Sequence, residues 1–349
     1  MNYQELSPAE AVKRCLDGFG ARELWCVRWD RLDAEERAAV ARTLPSSVVT
    51  KTSGSTGQQR SWSRTPAQLL SETAQLAALW RDRRVDMVLA SAPPAHFYGL
   101  LTSLLLPLHL GVPVYYMPDF HAAMPDVTGR GVGVTAIPWT FRILSRSLDA
   151  LASAAEISVL HSTAKLPLEA SEFVAGLATV DVAITEIFGS TETGGIASRR
   201  LPAAEWTLFD DVTLEREGVG EVPLVVSGPR LADGLHRWQT DDSIDVVDGR
   251  EFLFLGRRTR LRKINGVRVN LDEVEELLRA AAPCADLACV PIDDPLRGES
   301  FSVLAVPAEP AQDDLVSRVR IAAKSLRLAP HEVRIVARID RSETGKLRG

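Results

Sequence analysis

Val48-Val49-Thr50-Lys51-Thr52-Ser53-Gly54-Ser55-Thr56-Gly57-Gln58-Gln59-Arg60 is a largely β-branched run that leads into a loop of Ser, Thr and Gly. Gly54 and Gly57 can take backbone angles closed to other residues, so the chain can turn tightly around a ligand. Thr52, Ser53, Ser55 and Thr56 add hydroxyls, and successive N–H groups of such a loop can converge into an anion-binding nest. That chemistry suits a phosphate. The G-x-x-x-x-G-K-[ST] pattern of a Walker A loop is absent. Taken alone, the same composition also fits a plain surface loop, so the rest of the chain has to decide.

The chain has 349 residues, 46% of them hydrophobic, enough for a full core. Its length suggests two domains. The formal net charge is −6 and no basic stripe stands out, which argues against a nucleic-acid partner. Cys15, Cys26, Cys284 and Cys289 have neither zinc nor disulfide spacing. Met-Asn-Tyr-Gln-Glu-Leu carries no signal-peptide pattern, and the expectation is a cytoplasmic enzyme. The stretch 97–117 is apolar enough to suggest a membrane span. Pro107, His109, Gly111 and Pro113 interrupt it, so it reads as a buried helix, a turn and a strand at Val114-Tyr115-Tyr116. No membrane insertion is expected.

Residues 1–47 read as helical and polar-rich, with a helix start at Ser7-Pro8-Ala9-Glu10. Thr65 and Pro66 open another helix, Thr as cap and Pro at the first position. Leu69, Leu70, Thr73, Leu76, Ala77 and Trp80 give it an apolar face. Strand signals at 88–90, 133–137, 157–161 and 181–188 alternate with helical ones at 141–151 and 169–177. This rhythm predicts an α/β fold with a mainly parallel, covered sheet. From about residue 258 a smaller α/β pattern follows. It has a helix from Asn270 with acidic residues near its start, strands at 288–291 and 301–307, a helix over 313–328 and a strand at 333–336.

Further segments stand in order behind the opening loop. They are Pro93-Pro94-Ala95-His96-Phe97-Tyr98-Gly99, Phe188-Gly189-Ser190-Thr191-Glu192-Thr193-Gly194-Gly195, Arg237-Trp238-Gln239-Thr240-Asp241-Asp242, Gly256-Arg257 with Lys263-Ile264-Asn265-Gly266-Val267-Arg268, and Glu343-Thr344-Gly345-Lys346-Leu347-Arg348. Together with Thr-Ser-Gly-Ser-Thr-Gly they resemble the signatures of the adenylate-forming superfamily. That superfamily holds acyl- and aryl-CoA synthetases, adenylation domains of nonribosomal peptide synthetases, and luciferases. The resemblance implies a large α/β domain over residues 1–257, N-terminally truncated, and a small mobile α/β domain over 258–349. Thr52, Ser53, Gly54, Ser55, Thr56, Gly57 and Arg60 would hold phosphates of ATP. Phe188 and Gly189 would lie near adenine, Thr191 on phosphate and Glu192 on Mg2+. A hard cation bridging phosphate oxygens takes one or two carboxylates, and strand ends are the usual place for such groups. The plain alternative for this segment is a capped turn with solvated Thr191 and Glu192.

The resemblance also assigns Asp242 and Arg257 to the ribose, since a carboxylate accepts two hydrogen bonds. Lys263 belongs to the hinge segment and is expected near the nucleotide. Lys346 would reach the carboxylate and α-phosphate during adenylation. His96, Phe97, Ser162, Thr163, Ala164 and Gly194 would line the acid pocket. In amino-acid-activating relatives an Asp near this pocket holds the substrate amine, and none occurs here between Asp86 and Asp119. The implied reaction is activation of a non-amino carboxylic acid, aryl or medium-chain acyl, as an acyl-adenylate. Transfer to a pantetheine thiol, of CoA or of an acyl carrier protein, would follow.

Departures from the family pattern are equally legible. The loop ends Gln58-Gln59-Arg60 where relatives carry x-Pro-Lys; Arg60 keeps the charge with another geometry. Ser162-Thr163-Ala164 replaces Gly-Gly-Ala, Thr259 stands at the hinge position that is often Asp, and Asp241 replaces a Gly. That last change is expected to strain the backbone. The stretch before the loop is short, so an N-terminal subdomain is expected to be missing, which favours a carrier protein over free CoA. The alternative is a degenerate homologue that binds nucleotide or carrier without completing thioester formation.

Overall fold

Met87-Val88-Leu89-Ala90 has all four residues buried, and its side chains divide between two cores. Val88 and Ala90 join one cluster, with Leu69, Leu76 and Leu104; Met87 and Leu89 join another, with Val134, Phe141 and Phe173. This is the period of two that a strand covered on both faces requires. The structure, a computed structural model, describes residues 3–17, 23–52, 60–118, 123–215, 221–264, 267–294, 298–309 and 314–340. The chain divides into two compact units, one of 1–54, 59–214 and 226–238, the other of 55–58, 215–225 and 239–349.

The strands of the first unit, in chain order, are β1 (Gln4–Glu5), β2 (Trp25–Val27), β3 (Val48–Thr52), β4 (Arg60–Arg64), β5 (Met87–Ala90), β6 (Val114–Tyr116), β7 (Gly131–Ala136), β8 (Glu156–His161), β9 (Asp181–Ser190), β10 (Gly194–Arg200), β11 (Trp206–Leu208) and β12 (Thr213–Leu214). Strands β6, β5, β7, β8 and β9 lie side by side and parallel, as the alternation predicts. Antiparallel β2 flanks β6, and antiparallel β10 and β11 follow β9. Strand β5 sits between β6 and β7, so the winding reverses there. Ligands of open α/β sheets bind outside the carboxyl ends of the strands at such a switch. At those ends lie Ser91, Ile137, Ser162 and Thr191.

Helix Pro66–Ala78 starts as expected. Thr65 accepts the Gln68 N–H, and Gln68 answers with its side chain on the Thr65 N–H at 2.9 Å. The apolar stretch after His96 is a helical run through Phe97–Gly99, Leu100–Leu105 and Leu106–Leu110, closed by Gly111 at φ 68°. Leu100–Leu105 is a widened π turn, placed just ahead of Pro107, which has no N–H to give. Among the described residues no helix is long and apolar enough to cross a membrane.

Two local expectations need correction. Residues 1–47 are not helical throughout: Ser7 does cap helix Pro8–Leu16, but β1 and β2 also lie here. Trp25-Cys26-Val27 is buried along its whole length and too short for a periodic signal. The helix expected over 141–151 is broken into Thr140–Leu144, a 3-10 turn Ser145–Ser147 and Leu148–Leu151. Ser145 donates to the Phe141 carbonyl at 2.8 Å, a side-chain bond that competes with helix continuation.

In the second unit, β13 (Glu221–Ser227) contributes its first residues and β14 (Arg237–Val246) its greater part; β14 pairs antiparallel with β15 (Glu251–Arg257). Then come the hairpin of β16 (Leu261–Ile264) and β17 (Val267–Asn270), and a sheet in which β19 (Gly298–Val306) lies between antiparallel β18 (Asp286–Asp294) and parallel β20 (Val333–Ile335). Helices Leu271–Ala281 and Leu315–Ser325 pack Leu271, Val274, Leu315 and Val319 with Phe301 and Val303 of the sheet. Asn270 caps the first of these helices on the Asp272 N–H at 3.0 Å.

At the carboxyl end of the parallel strands, His161 of β8 stands in register with Glu186 of β9. Arg199 donates to Glu186 Oε2 through Nε at 2.7 Å, and His161 Nδ1 lies 3.8 Å from Oε1. Burial raises the Glu186 pKa, but His161 and Arg199 more than offset this and hold it below the ordinary glutamate value. A carboxylate depressed in the fold stabilises above its unfolded pKa and loses that contribution as pH falls through the lower folded value. Urea unfolding of the wild type and Glu186→Gln should therefore differ fully at neutral pH and begin to converge only as pH falls below the ordinary glutamate value of about 4.3. A gap that persists unchanged into acid contradicts the assignment.

Candidate active site

Strands β3 and β4 form an antiparallel hairpin whose last registered pair is Thr52 and Arg60. The Ser/Thr/Gly stretch, Ser53 to Gln59, joins these strands in sequence and lies outside the described residues. Arg60 is exposed at the start of β4. The hairpin is tied down through β4. Trp62 meets Trp238 edge to face, ring centroids 5.5 Å apart. Ser63 accepts the Asp233 N–H on its carbonyl at 2.9 Å and donates its hydroxyl to the Asp233 carboxylate at 3.2 Å.

The second element is the turn between β9 and β10. Gly189 faces Gly195 and Ser190 faces Gly194 across the ladder. A Cβ at Gly189 would come 2.3 Å from the Gly194 carbonyl, so the strands approach as only glycine allows. Gly194 has φ 72°, open to glycine and strained for others. Thr193 Oγ1 accepts the Ser190 N–H at 3.1 Å, which closes the turn locally. Thr191 and Glu192 are left half-buried at its apex.

Two buried arginines hold that turn from below. Arg64, the last residue of β4, donates to the carbonyls of Thr191 (2.7 Å), Glu192 (3.0 Å) and Arg230 (3.0 Å). Its guanidinium lies 4.2 Å from the centre of the Phe97 ring. Burial pulls its pKa down to about 10, so it stays charged at neutral pH. Glu72, 2% exposed, accepts the Gly195 N–H at 2.8 Å and pairs with Arg230. Arg230 also donates twice to Asp211, at 2.7 and 2.8 Å. Burial alone would lower the Arg230 pKa; Glu72 and Asp211 raise it instead. Sequence reading missed Arg64, Glu72, Asp211 and Arg230. A signal for Glu72 was present, since it falls between Leu69 and Leu76 on the face of helix Pro66–Ala78 that otherwise reads apolar.

The remaining expected residues fall as follows. Phe188 is half-buried, edge to face with Trp206 at 5.2 Å. His96 is exposed just before the helical run, and Phe97 is buried against Arg64. Ser162 donates to the Ile187 carbonyl at 3.0 Å, and Ala164 is exposed. In the second unit Asp242 stands in register with Arg257, and its N–H donates to Thr240 Oγ1 at 3.1 Å. Lys263 is exposed, and its main-chain N–H donates to Glu299. Lys346 lies outside the described residues.

The strain expected at Asp241 falls elsewhere. Among the described residues the non-glycine positions with positive φ are Thr163 at 82° and Arg327 at 59°, and Asp241 is not one. The Asp241 carboxylate instead accepts the Thr259 hydroxyl, and its carbonyl accepts the Arg258 N–H at 2.6 Å. The two departures from the family pattern thus bond to each other.

Residues 4–232 match the family model of the AMP-binding enzyme, and residues 273–346 match that of the AMP-binding enzyme C-terminal domain. The chain belongs to the AMP-binding enzyme family. A relative in this family, a 4-coumarate–CoA ligase of Rhodobacter capsulatus, is 29% identical over 314 residues, covering 86% of this chain and 74% of the relative. A 4-coumarate–CoA ligase of Halorhodospira halophila is 30% identical over 266 residues, covering 72% of this chain and 62% of its own length. Among solved structures, ATP-bound MatB from Rhodopseudomonas palustris superposes with a TM-score of 0.65 at 17% identity, over 86% of this chain and 66% of that one. The AMP complex of O-succinylbenzoate coenzyme A synthetase from Bacillus subtilis gives 0.65 at 18% identity, over 86% of this chain and 67% of that one. At such identities the structural likeness speaks for the fold. The chain spans about two-thirds of the length of these two structures.

Thr163 occupies the middle of the segment where the family pattern reads Gly-Gly-Ala, and it keeps a glycine-like φ of 82°. A β-branched residue held there stores about 1–3 kcal/mol. Thr163→Gly should raise stability by about 1 kcal/mol, read as a higher urea midpoint. An unchanged or lower midpoint contradicts the strain.

Proposed function

We propose that this chain is an AMP-forming acid–thiol ligase. It joins a carboxylic acid lacking an α-amino group to ATP, then passes the acyl group to a pantetheine thiol. The observation that carries the reading is the pinned Thr191-Glu192 apex. It stands at the carboxyl end of a switch-point sheet, and Arg64 joins it to β4, the strand that follows the Ser/Thr/Gly stretch in sequence. The family match supports it, as do relatives whose names are those of CoA ligases.

The apex fits a hard cation. Glu192 offers one half-buried carboxylate on a main chain held from two sides, and Thr191 adds a hydroxyl at the neighbouring position. Magnesium bound with ATP takes few protein carboxylates and several phosphate oxygens, and it supplies charge neutralisation at the transferring phosphate. By the family pattern Thr191 and the Ser/Thr/Gly stretch would orient the phosphates, Phe188 would serve adenine, and Asp242 and Arg257 would serve the ribose. The family pattern would give Lys263 a place near the nucleotide and Lys346 the α-phosphate. In the first step a carboxylate oxygen bonds to the α-phosphorus as the bond to pyrophosphate breaks. In the second, the thiolate sulfur bonds to the acyl carbon and AMP leaves.

The acid is aryl or medium-chain acyl, since the segment after Asp86 offers no carboxylate to an amine before Asp119. Names of CoA ligases among the relatives support CoA as acceptor; the phosphopantetheine of a carrier protein presents the same thiol. Turnover is favoured over nucleotide binding alone, because Asp241 takes no strained angle and has a partner in Thr259.

Lys346 and Glu192 test the reading through separate half-reactions. Removing a fixed cation from developing phosphate charge costs roughly 3–4 kcal/mol, or about 10²–10³-fold in rate. Lys346→Ala should slow acid-dependent pyrophosphate release by that much and spare thiol transfer from a synthetic acyl-adenylate. Glu192→Gln should lose pyrophosphate release in a chain that still folds. Equal loss of both half-reactions in Lys346→Ala contradicts the role given to the lysine.

A further inference from the structure

Arg64 has no assigned role toward the nucleotide or the acid, yet it is built into the apex. It is 2% exposed at the end of β4, four residues beyond Arg60. A guanidinium carries five donors in a planar fork, and here the fork serves three carbonyls on two separate segments. The Glu192 carbonyl accepts from Arg64 at 3.0 Å and from the Ala232 N–H at 2.9 Å. Two donors occupy both lone pairs of that oxygen, so the peptide plane behind Glu192 cannot rotate without breaking a buried bond. Phe97, in the segment assigned to the acid pocket, backs the fork at 4.2 Å. One side chain therefore touches the phosphate hairpin, the Glu192 apex, the Arg230 segment and a pocket aromatic.

We propose that Arg64 is a positioning residue: it fixes the direction in which the Glu192 carboxylate points and couples that direction to Phe97, without itself touching ATP or the acid. This rests on the ligase reading, which gives Glu192 the cation. Lysine cannot replace it, because a single ammonium cannot span the Thr191, Glu192 and Arg230 carbonyls as a rigid fork does. A residue that merely fills space would change stability and leave the cation's affinity alone.

The test is calorimetric titration of ATP into the full chain with and without Mg2+, together with the Mg2+ dependence of acid-dependent pyrophosphate release. Arg64→Lys should lower the Mg2+ affinity by about 10–100-fold, the loss typical when a group behind a metal ligand is removed. Metal-free ATP should bind as before, and the KM for the thiol should not move. In a Glu192→Gln background Arg64→Lys should shift nothing further, since the two act through one carboxylate. Should Arg64→Lys fail to fold, Phe97→Leu keeps all three donors, removes the ring behind them, and must move the Mg2+ affinity in the same direction. An unchanged Mg2+ dependence in a folded Arg64→Lys chain overturns the proposal. So does an Arg64→Lys shift that persists in the Glu192→Gln background. A wild type that binds Mg-ATP tightly yet releases no pyrophosphate with any aryl or acyl acid overturns the ligase reading alone.

Discussion

The ion pair between Glu72 and Arg230 is the constraint around which the first unit's site is built. Both side chains are 2% exposed. Charges taken that far from water persist only when their remaining hydrogen-bonding capacity is filled, and removing one partner of such a pair costs about 3–5 kcal/mol. The filling dictates the surroundings. Asp211 takes the other edge of Arg230, and the Gly195 N–H takes the second oxygen of Glu72. Glycine is required at 194 and 195, since a Cβ there would meet Glu72 oxygens at 2.4 and 2.9 Å. The Arg230 carbonyl receives Arg64, which turns to Thr191 and Glu192. The Thr191-Glu192 apex is thus held by a chain of satisfied buried charges in addition to its own short turn.

That chain of contacts explains which parts of the site could be read from sequence. The parallel sheet was legible because its strands are short, mainly apolar and β-branched runs alternating with helical stretches, and the motif segments were legible because glycines and hydroxyls cluster in them. The helix cap at Thr65 was equally plain, since the Pro66 that follows fits only a first turn. Arg64, Glu72, Asp211 and Arg230 were not, because each makes sense only through partners up to 166 residues away. A lone Arg at the end of a polar strand looks solvated, and here it is among the most buried large side chains. Strand β2 escaped for a different reason: three residues, all buried, carry no period to detect.

The departures from the family pattern sort themselves by physical effect. Asp241 and Thr259, each unusual alone, supply each other with a hydrogen bond. Thr163 keeps a backbone angle that suits glycine, so the fold has been maintained at that point under strain. That strain sits beside Ser162, which bonds the Ile187 carbonyl one residue before Phe188.

The central claim is that an acid's own oxygen attacks the α-phosphorus of ATP. It is tested most directly by supplying an aryl carboxylate labelled with oxygen-18 on both oxygens, Mg-ATP and a thiol, and then weighing the nucleotide product. The account predicts AMP carrying one heavy oxygen, with unlabelled pyrophosphate. Label in orthophosphate alongside ADP, or AMP free of label, contradicts it.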